Sequence, residues 1–403
     1  MQVLYERCAG LDVHKKNVKV CLITPGADQP PHKEIRTYAT KTQDLLALRD
    51  WLQEQGCTHL AMESTGGYWR PIYNLLEGDF DLLVVNAQHF KTVPGRKTDV
   101  KDAEWIADLL QHGLLRASFI PSAPQRELRD LTRYRTRLVE ERAREVNRLQ
   151  NTLEETTLKP GDVVSDVLGK TSRAILQAIM AGETDPGRLA DLARGRVRAP
   201  SAELERAVTG TVTAHHRFLL GEHLPQIESL ESAIRRVSDE IARRFSPPDP
   251  PEESHHEHPY SSNQGAPPTS TDEAPAPLTW EEAVELIDPI TGISTLTAQG
   301  LLTELGVEMG RFASARHVAS WAGVCPGNHE SAGKRLRGKT RKGNPWLRRL
   351  LIQSAPAAAH SKNTSLAAQY HRIASRRGPK RAAMAVAHSI LVIIYQVLRD
   401  RIP

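Results

Sequence analysis

Residues 9–23, AGLDVHKKNVKVCLI, carry the clearest indication of fold class in the chain. Apolar residues at every second position from 18 to 22 alternate with Lys19 and Cys21, which is the period of a β-strand, and Pro25-Gly26 ends the segment as a turn. Asp12 stands in the apolar first part, where an acid is costly to bury unless it is paired or bound to a metal. An exposed strand end is the simpler alternative.

The next hundred residues alternate strand and helix patterns. We predict strands at 34–38, 59–63 and 81–85, and helices at 42–52, 71–77 and 99–112. Thr42 is expected to cap the first helix and Gly56 to stop it. Antiparallel strands followed by alternating strands and helices are typical of a ribonuclease-H-like α/β fold.

Four acids have the placement that a two-metal nuclease needs. Asp12 lies in the first strand, Glu63 ends a buried strand before a Gly-rich turn, and Asp99 and Asp102 open a helix three residues apart. Mg²⁺ prefers carboxylate oxygens, and two ions about 4 Å apart can hold the attacking and leaving oxygens of a phosphate. For Asp99 and Asp102, stabilisation of a helix N-terminus is a sufficient alternative role.

The chain divides into four predicted regions. Residues 1–120 form the α/β metal-binding domain, and 121–245 are helical and charged. Residues 246–279 are a Pro-rich flexible linker, and 280–403 form a mainly helical C-terminal domain. In the second region, apolar residues at steps of three and four predict a coiled-coil seam: Ile227, Leu230, Ile234, Val237 and Ile241. That seam fits a two-helix hairpin core as well as an oligomer contact.

Charge is distributed unevenly along the 403 residues. The formal net charge is +5, but residues 331–399 contain 15 Lys or Arg and no Asp or Glu. Such a run is usually a solvated face, yet its length favours a phosphate-binding surface. In the C-terminal domain, Thr291-Gly-Ile-Ser lies between two short helices and resembles a helix-hairpin-helix turn, whose N–H groups can hold a DNA phosphate.

Composition argues against several other classes. The four cysteines have no paired spacing, which argues against disulfides and a Cys-based zinc site and favours a reducing, cytoplasmic setting. No signal peptide is evident and no apolar run reaches 18 residues, so we expect an intracellular protein without a membrane partner.

Motifs at both ends resemble the DEDD insertion-sequence transposases, the one-ten family of insertion elements. The acids lie in GLDVHK (10–15), MESTGGY (62–68) and KTDVKDA (97–103). The C-terminal motifs are GIS (292–294), RFASARH (311–317), WAGVCP (321–326), ESAGK (330–334) and RKGNPWLR (341–348). The family's hairpin reads Pro-Gly-Ile-Gly where this chain has Thr291-Gly-Ile-Ser, and an Ala precedes the Gly after Ser331.

The resemblance implies a mechanism and an assembly. The N-terminal domain would be RuvC-like, with Asp12, Glu63, Asp99 and Asp102 holding Mg²⁺, and Ser331 would be a nucleophile that forms a covalent phosphoserine link to DNA. Family members act on donor and target double-stranded DNA, are guided by an element-encoded bridge RNA, and assemble as tetramers (dimers of dimers) with sites shared between subunits. The basic residues expected to bind nucleic acid are Lys334, Arg335, Arg337, Lys339, Arg341, Lys342, Arg348 and Arg349.

Two other functions fit the residues. A hydrolytic nuclease or Holliday-junction resolvase would use the four acids with water as the nucleophile. A non-catalytic RNA- or DNA-binding protein would use only the basic surface. Ser331→Ala and Asp12→Asn distinguish these functions from strand exchange.

Overall fold

The computed structural model describes residues 2–26, 30–63, 66–86, 102–159, 166–193, 200–246, 277–326, 329–331, 334–337, 340 and 342–402. The chain divides into two compact units, Met1–Ala123 and Pro124–Pro403. Most of the predicted linker, residues 247–276, lies outside the described residues.

The first unit is built on a mixed five-stranded sheet. Its strands are β1 (Cys8–Val13), β2 (Asn17–Thr24), β3 (His32–Ala39), β4 (His59–Glu63) and β5 (Asp81–Val85), in the spatial order β3-β2-β1-β4-β5. Strands β1, β2 and β3 pair antiparallel, whereas β4 is parallel to both β1 and β5. The α/β prediction is confirmed. The segment 9–23 forms two strands, because the chain turns back where His14 N–H donates to Asn17 O at 2.9 Å.

Among the described residues of this unit, three helices accompany the sheet: α1 (Thr42–Glu54), α2 (Trp69–Leu76) and α3 (Asp102–Gln111). The prediction that Thr42 caps α1 is wrong, because the cap position is Lys41 and its side chain accepts no capping hydrogen bond. Gly56 follows the helix with φ +65°, the left-handed conformation that suits glycine after a helix end.

The two faces of the sheet bury different partners. One face packs Leu11, Val20 and Leu60 with residues of α1 and α2. The opposite face, which carries the alternate residues of each strand, packs Cys21 and Ala61 against α3. This division follows from the alternation of side chains along a strand, and it places Asp12 on the α3 face.

The second unit begins with two long helices that form an antiparallel pair. Helix α4 (Ala123–Glu155) meets α8 (Ala214–Phe245) where Arg142 binds Glu231 at 2.7 Å. Between them in sequence lie α5 (Lys170–Met180), α6 (Pro186–Asp191) and α7 (Ser201–Ala207), which join one end of the pair in a common core. The buried Ile227 and Ile241 of the predicted seam pack within the chain's own cores, while the coiled coil as an oligomer contact stays a prediction.

The rest of the second unit is mainly helical, as predicted. Its helices are α9 (Trp280–Ile287), α10 (Thr295–Leu305), α11 (Ala315–Ala322), α12 (Pro345–His360), α13 (Ser365–Arg377) and α14 (Pro379–Asp400). A short hairpin of β6 (His329–Ser331) and β7 (Lys334–Arg337) lies between α11 and α12. Within the described residues, α14 alone has the length and hydropathy of a membrane span, but its apolar face packs in the core shared with α9–α12.

Candidate active site

Asp12 and Glu63 lie at neighbouring positions on two parallel strands. The last registered pair of β1 and β4 is Leu11 with Met62, and the two acids are the next residues along each strand. Neighbouring strands are about 4.8 Å apart, and residues at matching positions point to the same face. The fold therefore brings together two acids that are 51 positions apart at the carboxyl edge of the sheet.

Helix α3 approaches the same face of the sheet unusually closely. A Cβ atom added at Gly10 would lie 2.3 Å from Ala103 O and 2.4 Å from Ala107 N. Gly10 and Asp12 share a face because they are two residues apart in β1. The absent side chain lets the first turn of α3, which starts at Asp102, lie against the strand that carries Asp12.

The surroundings of Asp12 combine partial burial with polar partners for its carboxylate. Its side chain is 17% exposed, and Oδ2 is 3.1 Å from Nε2 of the exposed His14. Lys19 is its registered partner on β2. A carboxylate at the boundary of the core needs such partners or a cation, because desolvation penalises the charged form.

Asp12 and Glu63 share a face of the sheet, and Asp102 starts the helix that packs on that face, but the three side chains do not form one ligand group. Within the described ranges, no three His, Cys, Asp or Glu side chains are close enough to hold a metal ion. Asp99 lies outside the described residues, in the segment 87–101. Asp12 and Glu63 still offer the hard oxygen donors that Mg²⁺ prefers, so the donor chemistry fits a divalent cation.

Ser331 ends β6, and its backbone pairs with Lys334 of β7. In the same ladder Glu330 pairs with Arg335, and His329 pairs with Arg337. Three of the predicted phosphate-binding residues thus lie on the strand that faces the serine strand. Lys339 and Arg341 lie outside the described residues, whereas Lys342 is described and exposed.

Several arginines of α4 bind within the chain. Arg129 Nη2 donates to Glu304 O at 2.9 Å, and the buried Arg135 donates to Leu296 O at 3.1 Å. Burial lowers the pKa of the Arg135 guanidinium below its usual range. These arginines of α4 therefore hold it against α10 and are not available to bind nucleic acid.

The two predicted nucleic-acid-binding residues of α12 are half-buried. Arg349 forms an ion pair with Glu140 of α4, and Arg348 lies beside it in sequence. A phosphate that binds Arg349 would compete with Glu140 for the guanidinium.

The turn before α10 is packed against protein on one side. Gly292 has φ +90°, and an added Cβ would lie 2.6 Å from Ser354 O of α12. This contact explains the glycine without a DNA phosphate. The helix-hairpin-helix role of the turn stays a prediction.

Sequence reasoning missed a polar network around Glu304. This side chain is 2% exposed and binds Arg133 of α4 through both carboxylate oxygens, at 2.7 and 2.9 Å. Asn344 Nδ2 donates to Glu304 Oε2 at 2.7 Å. The sequence indicates only one part of this network: Asn344-Pro345 predicts the start of a helix, because Asn at the N-cap followed by Pro is a common helix start.

Comparisons with known proteins cover the acid segments and the C-terminal motifs. Residues 9–158 match a family model described as "Transposase" for the DEDD proteins of IS110, and residues 284–372 match "Transposase IS116/IS110/IS902 family". The chain is also similar to a "Probable family 20 transposase" of Pseudomonas aeruginosa PAO1, with 23% identity over 397 residues and 96% of each chain covered.

These matches define the class of protein. The chain is a transposase, an enzyme that acts on DNA. It belongs to the IS110 family of insertion-sequence transposases.

Proposed function

We propose that this transposase cuts and rejoins DNA through a covalent link to Ser331, with Asp12, Glu63, Asp99 and Asp102 as ligands of Mg²⁺. The observation that carries the proposal is the placement of Asp12 and Glu63 side by side on one sheet edge, in a chain whose two ends both match transposase models. The strand order is also compatible with a RuvC-like, ribonuclease-H-like domain.

The acids have a defined task in this reaction. Bound Mg²⁺ would neutralise phosphate charge as a Lewis acid. Asp12 is held by its strand and contacts His14, so its carboxylate is oriented before DNA binds. Glu63 is oriented by the parallel pairing of β4 with β1 and β5. Groups fixed in advance need no reorganisation when charge develops on the phosphate.

The serine step conserves the phosphodiester. Ser331 Oγ attacks phosphorus and forms a P–O bond to the serine, while a P–O bond to deoxyribose breaks. The serine proton is passed to the departing oxygen, which leaves as a DNA hydroxyl. A hydroxyl of a second strand then attacks the phosphoserine, which restores a DNA phosphodiester and returns the serine. The number of phosphodiester bonds is unchanged, so no ATP is required. A serine hydroxyl needs activation, and the basic residues paired with its strand supply positive charge.

The assembly in this proposal follows the family. Donor and target DNA would be paired with an element-encoded bridge RNA, and a tetramer built as a dimer of dimers would join the acids of one subunit to the serine of another. The α4–α8 pair is a candidate contact between subunits. The basic residues of 334–349 would bind phosphate backbones and so position the nucleic acids. Because its DNA and RNA partners lie inside the cell, the transposase would act there.

The test is a denaturing gel for a protein–DNA adduct. The transposase is purified with its copurifying RNA and incubated with Mg²⁺ and labelled donor and target DNA. Wild type is expected to form an adduct that protease removes and Ser331→Ala to form none. Ser375→Ala is the matched control, because Ser375 is an exposed serine on α13.

Each alternative has its own outcome. If Ser331→Ala still cleaves DNA and no adduct forms, the enzyme is a hydrolytic nuclease that uses water, and the strand-exchange proposal fails. Unchanged strand transfer by Asp12→Asn would show that Asp12 takes no part in the reaction and would favour a non-catalytic nucleic-acid-binding role for the acids' domain. Sequencing of the copurifying RNA tests the guide, and the lack of an element-encoded RNA would refute guidance while leaving recombination intact.

A further inference from the structure

The backbones on either side of the segment that carries Ser331 meet at a single place. We call residues 324–342 the serine segment. It begins after Gly323, which ends α11 with φ +71°, and it ends before Gly343. A Cβ atom at Gly343 would lie 2.3 Å from Gly323 N and 2.4 Å from Ala322 C. The two flanking backbones are thus in direct contact, and Asn344 N–H donates to Trp321 O at 3.2 Å.

Asn344 fixes the end of the segment in two directions. Its Oδ1 accepts from the N–H groups of Trp346 and Leu347 at 3.0 and 3.2 Å and so caps α12. Its Nδ2 donates to Glu304 Oε2 at 2.7 Å. The first contact is a helix cap, and the second joins the segment to α10.

Glu304 is itself fixed from a third helix. Arg133 of α4 donates to both of its carboxylate oxygens, and Arg129 Nε lies 3.5 Å from Oε2. Charge-assisted, two-point contacts are stronger and more directional than neutral ones. A carboxylate that is 2% exposed would be strongly unfavourable without them. The line from Arg133 through Glu304 to Asn344 therefore connects α4 to the end of the serine segment.

We propose that Glu304 and Asn344 are positioning residues that set the place of the serine segment for attack on DNA, with Arg133 holding Glu304. The inference rests on Ser331 being the nucleophile and adds the device that orients it. Reacting groups have to be placed within about 0.5 Å of the productive geometry, and supporting hydrogen bonds provide that precision. Neither residue contacts DNA in this proposal.

The decisive variant is Asn344→Asp. Asp caps a helix as well as Asn does, so the cap on α12 is retained. The new carboxylate instead meets the carboxylate of Glu304, so repulsion replaces the hydrogen bond. The expected result is a fall of about 100-fold in the rate of adduct formation, the cost of a 1 Å misplacement, with DNA affinity unchanged. Rates are measured well below the unfolding temperature of each variant.

A second substitution separates positioning from general stability. In the double variant Asn344→Asp with Glu304→Gln, the glutamine amide can donate to the new aspartate, and most of the lost rate is expected to return. Thr364→Ala is the control, because it removes a different helix cap, the contact of Thr364 with Ala367 N–H at 3.2 Å. It is expected to lower stability and leave the adduct rate unchanged.

The outcomes separate this proposal from the one on which it rests. Adduct formation by Asn344→Asp at the wild-type rate overturns positioning, as does a double variant no faster than the single one. If wild type forms no adduct, the phosphoserine proposal fails. Hydrogen exchange of peptides from 324–342 then tests only whether Asn344 holds the segment in place: faster exchange in Asn344→Asp than in Thr364→Ala supports this holding role, and equal exchange overturns it.

Discussion

Gly10→Ala tests how closely α3 has to approach the strand that carries Asp12. The added carbon would lie 2.3 Å from Ala103 O, and ordinary contact begins at 3.4 Å. The obstructing atoms belong to the backbone, so no side chain can rotate away. Helix α3 has to withdraw by about 1 Å, because repulsion rises steeply below van der Waals contact.

Two energies oppose each other in this variant. Glycine-to-alanine exchange restricts the unfolded chain and stabilises by about 0.4–1 kcal/mol where the site accepts the methyl group. Forcing an extra carbon into a packed core costs about 1–3 kcal/mol, and occasionally more. Overpacking is expected to exceed the entropic gain at Gly10, with a fall of several degrees in the unfolding temperature of the first unit.

The functional effect is expected to be larger than the loss of stability. Withdrawal of α3 moves Asp102 away from Asp12 and Glu63, and a displacement of about 1 Å lowers rates by about 100-fold. DNA cleavage is followed at several Mg²⁺ concentrations, because displacement of Asp102, a proposed Mg²⁺ ligand, should also raise the Mg²⁺ concentration needed for half-maximal rate.

Gly221→Ala is the matched control for the same added methyl group. A Cβ at Gly221, inside α8, meets no atom within 4 Å. Helix propensity then predicts a gain of up to about 1 kcal/mol and unchanged cleavage. Gly10→Ala protein with wild-type cleavage and wild-type unfolding temperature would refute the packing argument.

Two further predictions concern ionisable groups. Burial opposes ionisation of Glu145, but hydrogen bonds from His223 and Arg148 prevail and hold its carboxyl pKa below the usual range. The stabilisation is therefore present above the unfolded carboxyl pKa of about 4.3 and is lost as pH falls through the lower folded value. Glu145→Gln should cost about 1–3 kcal/mol at pH 7 and progressively less on acidification, measured by urea unfolding; an equal deficit at every pH would contradict this. Burial raises the pKa of Cys57 to about 12, so iodoacetamide at pH 8 should modify the half-buried Cys325 first. Peptide mass spectrometry checks the order, and equally fast labelling of native Cys57 would contradict it.

Local sequence signals predicted the first unit better than the second. Strands β4 and β5 have the predicted bounds, because short apolar runs between turn residues allow few alternatives. The turn inside the segment 9–23, His14 to Asn17, contains no glycine or proline, so the local sequence does not indicate that the segment divides into two strands. The adjacency of Asp12 and Glu63 follows from two parallel strands that end together.

Contacts between distant residues could not be derived from local patterns. In sequence, Glu304 is one acid in an apolar helix and would ordinarily be assigned to a solvated face. Its burial makes sense only with Arg133, which is 171 positions earlier. The close approach at Gly10 is similarly invisible, because a glycine in a strand does not say which backbone comes near.

The burial of α14 has a consequence for the synthesis of the protein. Its inner face supplies Val386, Ile390 and Ile394 to the core that also contains residues of α9–α12. A ribosome makes all of those helices before it reaches residue 379. Until then their apolar surfaces lack a cover, so the C-terminal core cannot close on a partial chain. Interrupted translation would consequently yield chains whose C-terminal core lacks α14, and we expect DNA cutting only from chains that contain this helix.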